Sequence, residues 1–541
     1  MRRHRFLSAV FLAVVVSALV GGFFGNSALA TQDRVPDQYR LFAAALSAVE
    51  TNYAGTVESE QLVYSAIRGT LQTLDPHSSF YDPKSYARMR ERQEGRYYGL
   101  GVSITVADGG IGVVQLFEGS PAHQMGIRRG DVIAEIEGES TKGWTTEQAV
   151  GRLKGPKGTT VAIGVRRFGY EALIPLDVMR DEIHIHSVRS AFMIDSTTGY
   201  VHLAEFAENS DDEVGQALAD LTAKGMTRLV FDLRANPGGP LNQAILIANR
   251  FLQKGDLIVY TRGRVSNSDQ HHVAKVEGDY TDLPMIVLTN RNSASASEIV
   301  SGALQDHDRA LIVGETTFGK ALVQSVYRIS QGAGLAVTTA RYYTPSGRLI
   351  QRPWDTTFDE YLTYTQRDQE PNKVHSVEDL KLTDGGRKVY SGGGIEPDRR
   401  MDGPVDGFSP SRFGRTLYGR QLFDTFAQRF SRQGDTRIPP GASKERHEVQ
   451  ADFVVDAAML QEFREMLVQM EVKVDDAAWQ EDLDFIRVML RYEIDFDLFG
   501  AGEAKRRLSL VDPQVLYAMT LFPEARRLAD LEQAPVQQAQ R

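Results

Sequence analysis

The chain has 541 residues, and its 61 basic and 71 acidic side chains give a formal net charge of −10 at pH 7. This length suggests roughly three to four domains, and the acidic balance argues against a nucleic-acid-binding protein, which carries a basic excess or stripe. The chain contains no cysteine, which excludes a disulfide framework, a thiolate nucleophile and a cysteine-ligated metal.

The first 30 residues combine a basic start with an apolar stretch. "MRRHR" precedes the uncharged segment 6–25, and "ALA" at 28–30 offers small residues at both key positions of a cleavage site. Segment 6–25 is longer than a usual signal core and just long enough to span a bilayer, so residues 1–30 are predicted to be a cleaved signal peptide or a membrane anchor. In both cases the bulk of the protein lies outside the cytoplasm, in the periplasm or cell envelope.

Residues 31–94 are predicted to form an N-terminal helical region. "YRLFAAALSAVETNY" and "SEQLVYSAIRGTLQTL" carry apolar residues at three- and four-residue spacing, which is typical of amphipathic helices. "LDPHSSFYDP" contains two prolines and several small polar residues, so it is predicted to be a loop.

Residues 95–182 alternate short β-rich runs with glycine turns, and one short helix is predicted at 145–153. "YGLGVSI", "SPAHQMGIRRGDVIAEIEG" and this helix make the segment resemble a PDZ domain. In that fold an extended peptide adds to a sheet edge beside the helix, and backbone N–H groups of a glycine loop hold its terminal carboxylate. The resemblance assigns this loop to Gly99, Leu100, Gly101 and Val102.

Residues 183–400 alternate apolar strands with helices. "TRLVFDLRANPGGPLNQAILIANRFL" predicts a strand, a glycine loop and a helix, and "LPMIVLTNRNSASASEIVSGALQDH" repeats that plan with a polar loop. Such apolar strands suit a sheet that is covered on both faces, as in an α/β fold.

"GETTFGKA", residues 314–321, follows the apolar run "ALIV" and nearly matches a phosphate-binding loop. That loop needs a hydroxyl after the lysine to hold Mg²⁺, and position 321 is Ala. It also needs a helix that faces the phosphates, whereas "ALVQSVYRI" is rich in β-branched residues and predicts a strand. The pattern therefore predicts a different role for Lys320.

A serine nucleophile offers such a role. The serines of "NSASASEI" lie where a strand gives way to a helix, and the free N–H groups at the helix start can hold a developing oxyanion. A second donor could come from Gly238 or Gly239 of "NPGG", and lysine acts as the base in Ser-Lys variants of this chemistry. The residues alone leave Ser293, Ser295 and Ser297 open as the nucleophile.

Lysine can act as a base only when it is neutral. An ordinary pKa of about 10.4 imposes a penalty of roughly 4 to 5 kcal/mol at pH 7, which burial in an apolar pocket would reduce. Gln324, four residues beyond Lys320 on the same strand face, is expected to orient the amine. Glu298, in the first turn of the serine helix, is expected only to complement the helix dipole. The apolar neighbours that would form the pocket are Phe318, Ala321, Leu322 and Val323.

Five ordered motifs make residues 36–400 resemble the carboxyl-terminal processing proteases, peptidase family S41. They are "DLRANPGG", "SASASEI", "GETTFGKALVQ", "TTARYYTPSGRLIQ" and "GGGIEPD". The resemblance implies a serine-peptidase core at 183–400 with a crotonase-like or Clp-protease-like α/β sheet and the PDZ domain inserted. It also implies an extracytoplasmic enzyme that needs no cofactor. The histidines lack metal-ligand spacing and there is no cysteine, so no metal site is predicted.

The resemblance also implies a role for each site residue. Ser295 would be the nucleophile, Lys320 the general base and Gln324 its positioning partner. The oxyanion hole would use the N–H of Ala296 and of one "NPGG" glycine. Substrates would be unfolded proteins, or proteins with a loose tail, that the PDZ domain binds by their C-termini.

The resemblance thins beyond residue 400. Residues 401–541 carry helical periodicity and predict a C-terminal helical extension. Three roles are open for it: capping the core, homo-oligomerisation, or binding an adaptor or activator protein. A binding protein that has lost its chemistry is the alternative to an active endopeptidase, and the retention of both Ser295 and Lys320 favours the enzyme.

Overall fold

The computed structural model of the protein describes residues 34–167, 170–354, 361, 375–401, 410–433 and 449–532. The chain divides into two compact units, one made of residues up to 83 with residues 326–337, and one made of the rest. The predicted signal or anchor at residues 1–30 lies outside the described residues. Among the residues described, no helix has both the length and the apolar character to cross a membrane.

Among the described residues up to 83, the first unit contains two helices and a short strand. They are α1 (Arg34–Asn52), α2 (Ser59–Gln72) and β1 (Ser79–Tyr81). β1 pairs antiparallel with residues 334–336. Tyr64 and Leu71 are seven residues apart on α2 and so share one face, which packs with Phe80 and Ala333.

The PDZ segment is a small β domain with a helix beside an edge strand. Its elements, after α3 (Pro83–Glu94), are β2 (Arg96–Gly99), β3 (Val102–Ala107), β4 (Gly110–Leu116), α4 (Pro121–Gln124), β5 (Val132–Ile136), β6 (Glu139–Ser140), α5 (Thr146–Leu153), β7 (Thr160–Arg166), β8 (Ile174–Met179) and β9 (Asp181–His184). The main sheet has the order β3-β4-β5-β7-β8, with β6 beside β5, and β2 pairs with β9. A capping box between Thr145 and Gln148 starts α5, whose Ala149 and Leu153 join the core under the sheet.

The central sheet of residues 183–400 has six strands in the order β10-β11-β12-β15-β16-β21. These strands are β10 (Val188–Met193), β11 (Thr198–Leu203), β12 (Arg228–Asp232), β15 (Met285–Thr289), β16 (Leu311–Gly314) and β21 (Arg399–Arg400). β10 is antiparallel to β11, and every later neighbour is parallel. β15 is buried along its whole length, as expected for a parallel sheet covered on both faces.

Three helices cover one face of this sheet. They are α6 (Ser210–Ala223), α7 (Leu241–Asn249) and α8 (Ala296–Asp306). Val201, Phe231 and Val287 of the sheet pack with Leu218 of α6 and Val300 of α8. α8 follows β15 directly, so its N-terminus lies at the carboxyl edge of the parallel strands.

A second sheet and a hairpin also lie within residues 183–400. The strands are β13 (Leu257–Arg262), β14 (Gln270–Val273), β17 (Leu322–Arg328) and β18 (Gly334–Tyr343), followed by the hairpin strands β19 (Leu380–Leu382) and β20 (Lys388–Tyr390). β18 pairs with β17 and with β13, and β13 pairs with β14. This sheet carries the segment that follows Lys320.

The C-terminal extension begins as a helical domain with its own aromatic core. Its helices are α9 (Arg412–Gly419), α10 (Leu422–Gln433), α11 (Ala457–Gln469), α12 (Asp476–Glu481), α13 (Leu483–Phe499) and α14 (Ala501–Ser509). Phe423, Phe426, Phe463 and Trp479 are buried together in this core.

Arg129 joins the PDZ domain to this helical domain. It lies just before β5, and its guanidinium contacts Asp424 of α10, Glu493 (2.6 Å) and Asp497 (2.7 Å) of α13. The ring of Phe496 stacks 4.6 Å below its Cζ. The side chains of these four charged residues, called the Arg129 cluster below, are all less than one-fifth exposed.

The last two helices, α15 (Pro513–Thr520) and α16 (Phe522–Glu532), cover the other face of the central sheet. Val515 and Phe522 pack against Val230, Leu288 and Val313. Of the roles that the sequence left open for the extension, capping the core is therefore one that these helices perform.

Candidate active site

The three serines of "SASAS" differ in burial and hydrogen bonding. Ser293 and Ser297 are fully buried. Their hydroxyl groups donate to the carbonyl oxygens of Leu233 (2.8 Å) and Asn236 (3.0 Å) respectively. Ser295 is only half-buried. The two flanking hydroxyl groups are thus committed to the backbone, and Ser295 is the accessible one of the three.

The backbone of Ser295 is strained and stands at the start of a helix. Its φ of 56° and ψ of −112° lie in a region that residues other than glycine avoid. Such a conformation costs on the order of 1 to 3 kcal/mol and persists only where its surroundings enforce it. The next N–H, that of Ala296, is the first donor that α8 leaves without an intrahelical acceptor. Negative charge that develops here is stabilised by that N–H and by the helix dipole.

Glu298 ties the serine segment to the lysine segment. Its Oε2 accepts hydrogen bonds from the backbone N–H groups of Ser295 (2.7 Å) and Lys320 (2.9 Å). Its Oε1 accepts from the Thr317 hydroxyl (2.5 Å) and the Gly319 N–H (2.7 Å). Because one oxygen serves both, the backbone nitrogens of Ser295 and Lys320 lie within two hydrogen-bond lengths of each other.

This arrangement corrects the expectation that Glu298 only complements the helix dipole. The carboxylate is completely buried, and burial raises its pKa to about 7 against the opposing effect of its four donors. None of those four donors is a cation, so the carboxylate is held by neutral dipoles. Glu298 is therefore a structural centre of the site.

Lys320 lies in an extended segment that continues into β17, and no helix follows it. Its Nζ donates to Gln324 Oε1 at 3.0 Å. Ala321 and Leu322, two of the apolar neighbours expected around it, are buried, and Lys320 itself is half-buried. The strand after the lysine is the feature that distinguishes this loop from a phosphate-binding loop.

Tyr342 of β18 contacts the backbone of both segments. Its hydroxyl lies 2.7 Å from the carbonyl oxygen of Lys320 and 3.2 Å from that of Ser295. Tyr342 is fully buried, and burial raises its pKa well above the ordinary value. The hydroxyl therefore keeps its proton and acts as a neutral donor between the two carbonyl groups.

The two glycines of "NPGG" have different neighbours. Gly238 has a φ of +91°, and a Cβ there would lie 2.8 Å from both Ala296 N and Ser295 Cβ. Its N–H donates to Asn236 Oδ1 at 2.9 Å. A Cβ on Gly239 would lie 2.1 Å from the carbonyl oxygen of Phe206. Gly238 is thus the glycine whose backbone lies directly against Ser295 and Ala296.

Asn236 connects the glycine loop to the serine segment. Its carbonyl oxygen accepts from the Ala294 N–H (2.9 Å) and from the Ser297 hydroxyl. Its side chain donates to the carbonyl oxygen of Leu203 at 2.8 Å. The loop after β12 and the loop after β15 are therefore bonded to each other on the side where Ser295 emerges.

The PDZ domain contains a groove of about 250 Å³ between β3 and α5. Leu100, Gly101 and Val102 line it, together with Ile104 of β3, Phe117, and Val150 and Leu153 of α5. Gly101 has a φ of +80°, and a Cβ there would lie 2.2 Å from Ser120 Cβ. Gly99, the fourth residue expected in the carboxylate loop, is paired with Asp181 at the end of β2.

Two histidines have structural partners. His186 Nδ1 lies 3.2 Å from Glu213, and His307 contacts Asp384 and the carbonyl oxygen of Leu257, each at 2.7 Å. His307 is mostly buried; burial lowers its pKa, but its hydrogen bonds to Asp384 and Leu257 outweigh that effect and raise the pKa to about 9.

Comparisons with known proteins match this geometry to a family. The model of "Peptidase family S41" matches residues 197–359, and the "PDZ domain" model matches residues 89–166. The carboxy-terminal-processing protease of Bartonella bacilliformis is 38% identical over 351 residues, which are 64% of this chain and 79% of that protein. The chain belongs to the carboxy-terminal processing protease family.

A second curated relative agrees with this membership. The carboxy-terminal processing protease CtpA of Bacillus subtilis is 32% identical over 64% of this chain and 74% of that protein. A solved structure, the photosystem II D1 C-terminal processing protease, is 28% identical over 66% of this chain and 86% of that chain, with a TM-score of 0.34. This member of the carboxy-terminal processing proteases is thus a serine-type peptidase with a PDZ domain.

The sequence did not reveal the structural roles of three residues that shape the site of this family member: Glu298, Tyr342 and Asn236. Asn236 and Tyr342 lie within quoted motifs, but nothing in their spacing distinguishes them from packing residues. Glu298 carried a sequence signal, since a glutamate three residues after a serine at a helix start is the pattern of a capping box.

Proposed function

We propose that Ser295 is the nucleophile and Lys320 the general base of this peptidase, and that Gln324 positions the lysine amine. One observation carries the proposal: the backbone N–H groups of Ser295 and Lys320 donate to the same buried carboxylate oxygen of Glu298. The accessible position of Ser295, with the hydroxyl groups of Ser293 and Ser297 bonded to the backbone, supports the same assignment.

The proposed reaction is acyl transfer to serine. Neutral Lys320 Nζ takes the proton of Ser295 Oγ as Oγ attacks the carbonyl carbon of the scissile peptide bond. The oxyanion is held by the N–H of Ala296 and by a donor of the "NPGG" loop. The protonated amine then gives its proton to the leaving nitrogen, and water hydrolyses the acyl-enzyme with Lys320 again as the base.

Gln324 keeps the amine in a productive orientation. A neutral amine has two hydrogens and one lone pair, and one hydrogen is directed to Gln324 Oε1. The lone pair can then accept the serine proton. The reaction needs the amine in its neutral state, which desolvation by surrounding apolar residues favours.

The PDZ groove is proposed to bind the C-terminal tail of the protein substrate. β3 is an edge strand, so an extended peptide can add to it beside α5. The groove is lined largely by apolar side chains, which favours tails that end in apolar residues. The terminal carboxylate would be held at Leu100, Gly101 and Val102.

The protein is proposed to act outside the cytoplasm on unfolded or tailed proteins. The basic start and the apolar segment 6–25 support export, by a cleaved signal peptide or a membrane anchor. Substrates must present an extended segment because strand addition to β3 and access to Ser295 both require unfolded backbone.

A cleavage assay with mass spectrometry tests the dyad. The protein without residues 1–30 is incubated with an unstructured polypeptide that ends in apolar residues, beside Ser295→Ala, Lys320→Ala and the matched control Ser293→Ala. We expect the parent and Ser293→Ala to cleave the substrate, and Ser295→Ala and Lys320→Ala to leave it intact. Cleavage that persists in Lys320→Ala would show that another residue is the base, and cleavage that persists in Ser295→Ala would reject the nucleophile.

The substrate itself tests the role of the groove. A peptide with an amidated C-terminus lacks the carboxylate that the PDZ loop would hold, so its KM should rise while kcat at saturation changes little. Equal KM values for the acid and the amide would contradict tail recognition without affecting the dyad.

A further inference from the structure

Arg234, two residues beyond the end of β12, is held from two directions. Its guanidinium makes bidentate contacts with Asp232, at 2.6 to 3.0 Å. On its other side, Nη2 lies 2.9 Å from Asp512 Oδ2, and Nη1 donates to Gln514 Oε1 at 2.7 Å. Asp232 belongs to the strand that leads to the site, whereas Asp512 and Gln514 belong to the C-terminal extension.

Both partners in the extension are themselves fixed. Asp512 caps α15, since its Oδ1 accepts from the Gln514 N–H at 2.9 Å while its Oδ2 faces Arg234. Gln514 Nε2 donates to the carbonyl oxygen of Met401 at 3.1 Å. Because α15 is packed on the central sheet through Val515, Asp512 and Gln514 contact Arg234 from a helix whose position is fixed.

Arg234 begins the loop that ends at Gly238. Between them, Ala235 has a φ of 57°, a conformation that is uncommon for residues other than glycine and that persists where the surrounding structure enforces it. Its N–H donates to Asn290 Oδ1 at 2.9 Å. Gly238, at the far end, lies directly against Ser295 and Ala296. A displacement of Arg234 therefore moves the glycine backbone at the site.

We propose that Asp512 and Gln514 are positioning residues for the peptidase reaction, which act through Arg234 on the loop 234–238. The inference rests on the proposed function, because that loop leads into the "NPGG" glycines, among which the proposed oxyanion donor lies. In these terms the C-terminal extension, which lies outside the residues matched by the family model, completes the active site in addition to covering the sheet.

Substitutions of Asp512 and Gln514 can distinguish a role in positioning the loop 234–238 from a role in stabilising the fold. Asp512→Ser keeps an oxygen that can cap α15 but removes the contact with Arg234, and Gln514→Ala removes the other contact. The matched control is Glu524→Gln, which breaks the partly exposed Arg399–Glu524 ion pair (2.6 Å) between α16 of the same extension and β21 of the central sheet. Asp512→Asn, which keeps the cap and a neutral acceptor for Arg234, is the conservative variant.

The full protein is assayed for kcat and KM with one unstructured peptide, and for the rate of Ser295 labelling by a fluorophosphonate. We expect Asp512→Ser/Gln514→Ala to lose about 10-fold or more in kcat and in labelling rate, since misplacing an oxyanion donor affects only the transition state. Its KM should stay within about twofold of the parent. Asp512→Asn should recover most of kcat, and Glu524→Gln should match the parent.

The result that overturns the inference is a double variant whose kcat and labelling rate equal those of Glu524→Gln. A rise in KM with unchanged kcat also overturns it, because the residues would then act on substrate binding. If the double variant is too unstable to assay, Gln514→Ala alone decides in the same way. Failure of the proposed function is distinct, since the parent itself would then show no cleavage that depends on Ser295.

Discussion

Glu298 and the carboxylates of the Arg129 cluster are all buried, but they are held by different kinds of donor. Glu298 accepts three backbone N–H groups and one hydroxyl. In the Arg129 cluster a single guanidinium faces three carboxylates, and its Nε has no hydrogen-bond partner among the described residues.

Because of this difference, the site around Glu298 is fixed by the fold, whereas the contact of the Arg129 cluster can change with conditions. Backbone donors are part of the loops themselves, so Glu298 is satisfied only when the serine and lysine segments are correctly folded. The Arg129 cluster carries surplus negative charge, so the contact between the PDZ domain and the helical domain depends on protonation and on one side chain. The proposed active site thus depends on the first kind of contact, and the attachment of the PDZ domain on the second.

The largest effect is expected from Glu298→Gln. The amide matches the carboxylate in shape, but its NH₂ group would face two of the four donors, and each unsatisfied buried donor costs about 1 to 3 kcal/mol. We expect kcat to fall by about 100-fold or more and the melting temperature to drop. A dipole role alone is worth about 0.3 to 1 kcal/mol, so a loss smaller than fivefold would restore that simpler interpretation.

Arg129→Ala should mainly affect stability and the PDZ contact. Removal of the guanidinium leaves three mostly buried carboxylates close together without their cation. Loss of one partner of a buried ion pair typically lowers the free energy of unfolding by about 3 to 5 kcal/mol. We expect faster hydrogen exchange in β5 and α13, with the labelling rate of Ser295 by a fluorophosphonate reduced less than threefold. Arg128→Ala, the neighbouring arginine, is the control. A large loss of labelling would show that the cluster also supports the catalytic loops.

The next largest effect is expected from pH, which should change the stability of the contact made by the Arg129 cluster. Burial raises the pKa of Asp497 to about 6 and also raises that of Glu493, against the effect of Arg129. A carboxyl group whose pKa is raised by folding stabilises the folded state below its unfolded pKa, near 4, and loses that contribution as the pH rises through about 6. The contact should therefore weaken by on the order of 2 kcal/mol between pH 4 and 7.

Hydrogen exchange of β5 and α13 at pH 5 and at pH 7.5, corrected for intrinsic rates, measures this change. Asp497→Asn should flatten the difference because the amide does not titrate. A parent protein with greater protection at pH 7.5 than at pH 5 would contradict the assigned direction.

Tyr342→Phe should have the smallest effect of the series. The ring still fills its buried space, and only the hydroxyl between the carbonyl groups of Lys320 and Ser295 is lost. One neutral hydrogen bond contributes about 1 kcal/mol, so kcat should fall about fivefold with little change in KM. An unchanged kcat would mean that Glu298 alone fixes the spacing of the two segments.

Periodicity and motif order predicted much of the fold. The strand, loop and helix at 227–252 and the same plan at 283–307 correspond to β12 with α7 and to β15 with α8. The strand after Lys320 is β17. These elements are predictable because each one has its own pattern of apolar residues along the chain, and glycine- or serine-rich loops mark where one pattern ends and the next begins.

The contacts of the site were less predictable because they join distant segments. Glu298 meets Thr317, Gly319 and Lys320 through backbone N–H groups and one hydroxyl, and a backbone N–H has no signature in the sequence. The choice among Ser293, Ser295 and Ser297 depends on burial, which alternating serine and alanine do not encode.

The packing partner of the C-terminal helices was equally hidden. Asp512 followed by Pro513 is a recognisable helix start, and the apolar residues after it predict one buried face. Periodicity does not reveal what that face covers, and the pairing of Asp512 with Arg234 spans most of the peptidase core. The role of the extension therefore became clear only from the three-dimensional arrangement.

The position of α15 and α16 in the chain has a consequence for biosynthesis. Residues 513–532 leave the ribosome after every strand of the central sheet, yet one face of that sheet is covered only when they arrive. Chains fold in the order of their synthesis, domain by domain. The core of a nascent chain therefore cannot close over this face of the sheet until residues 513–532 have been made.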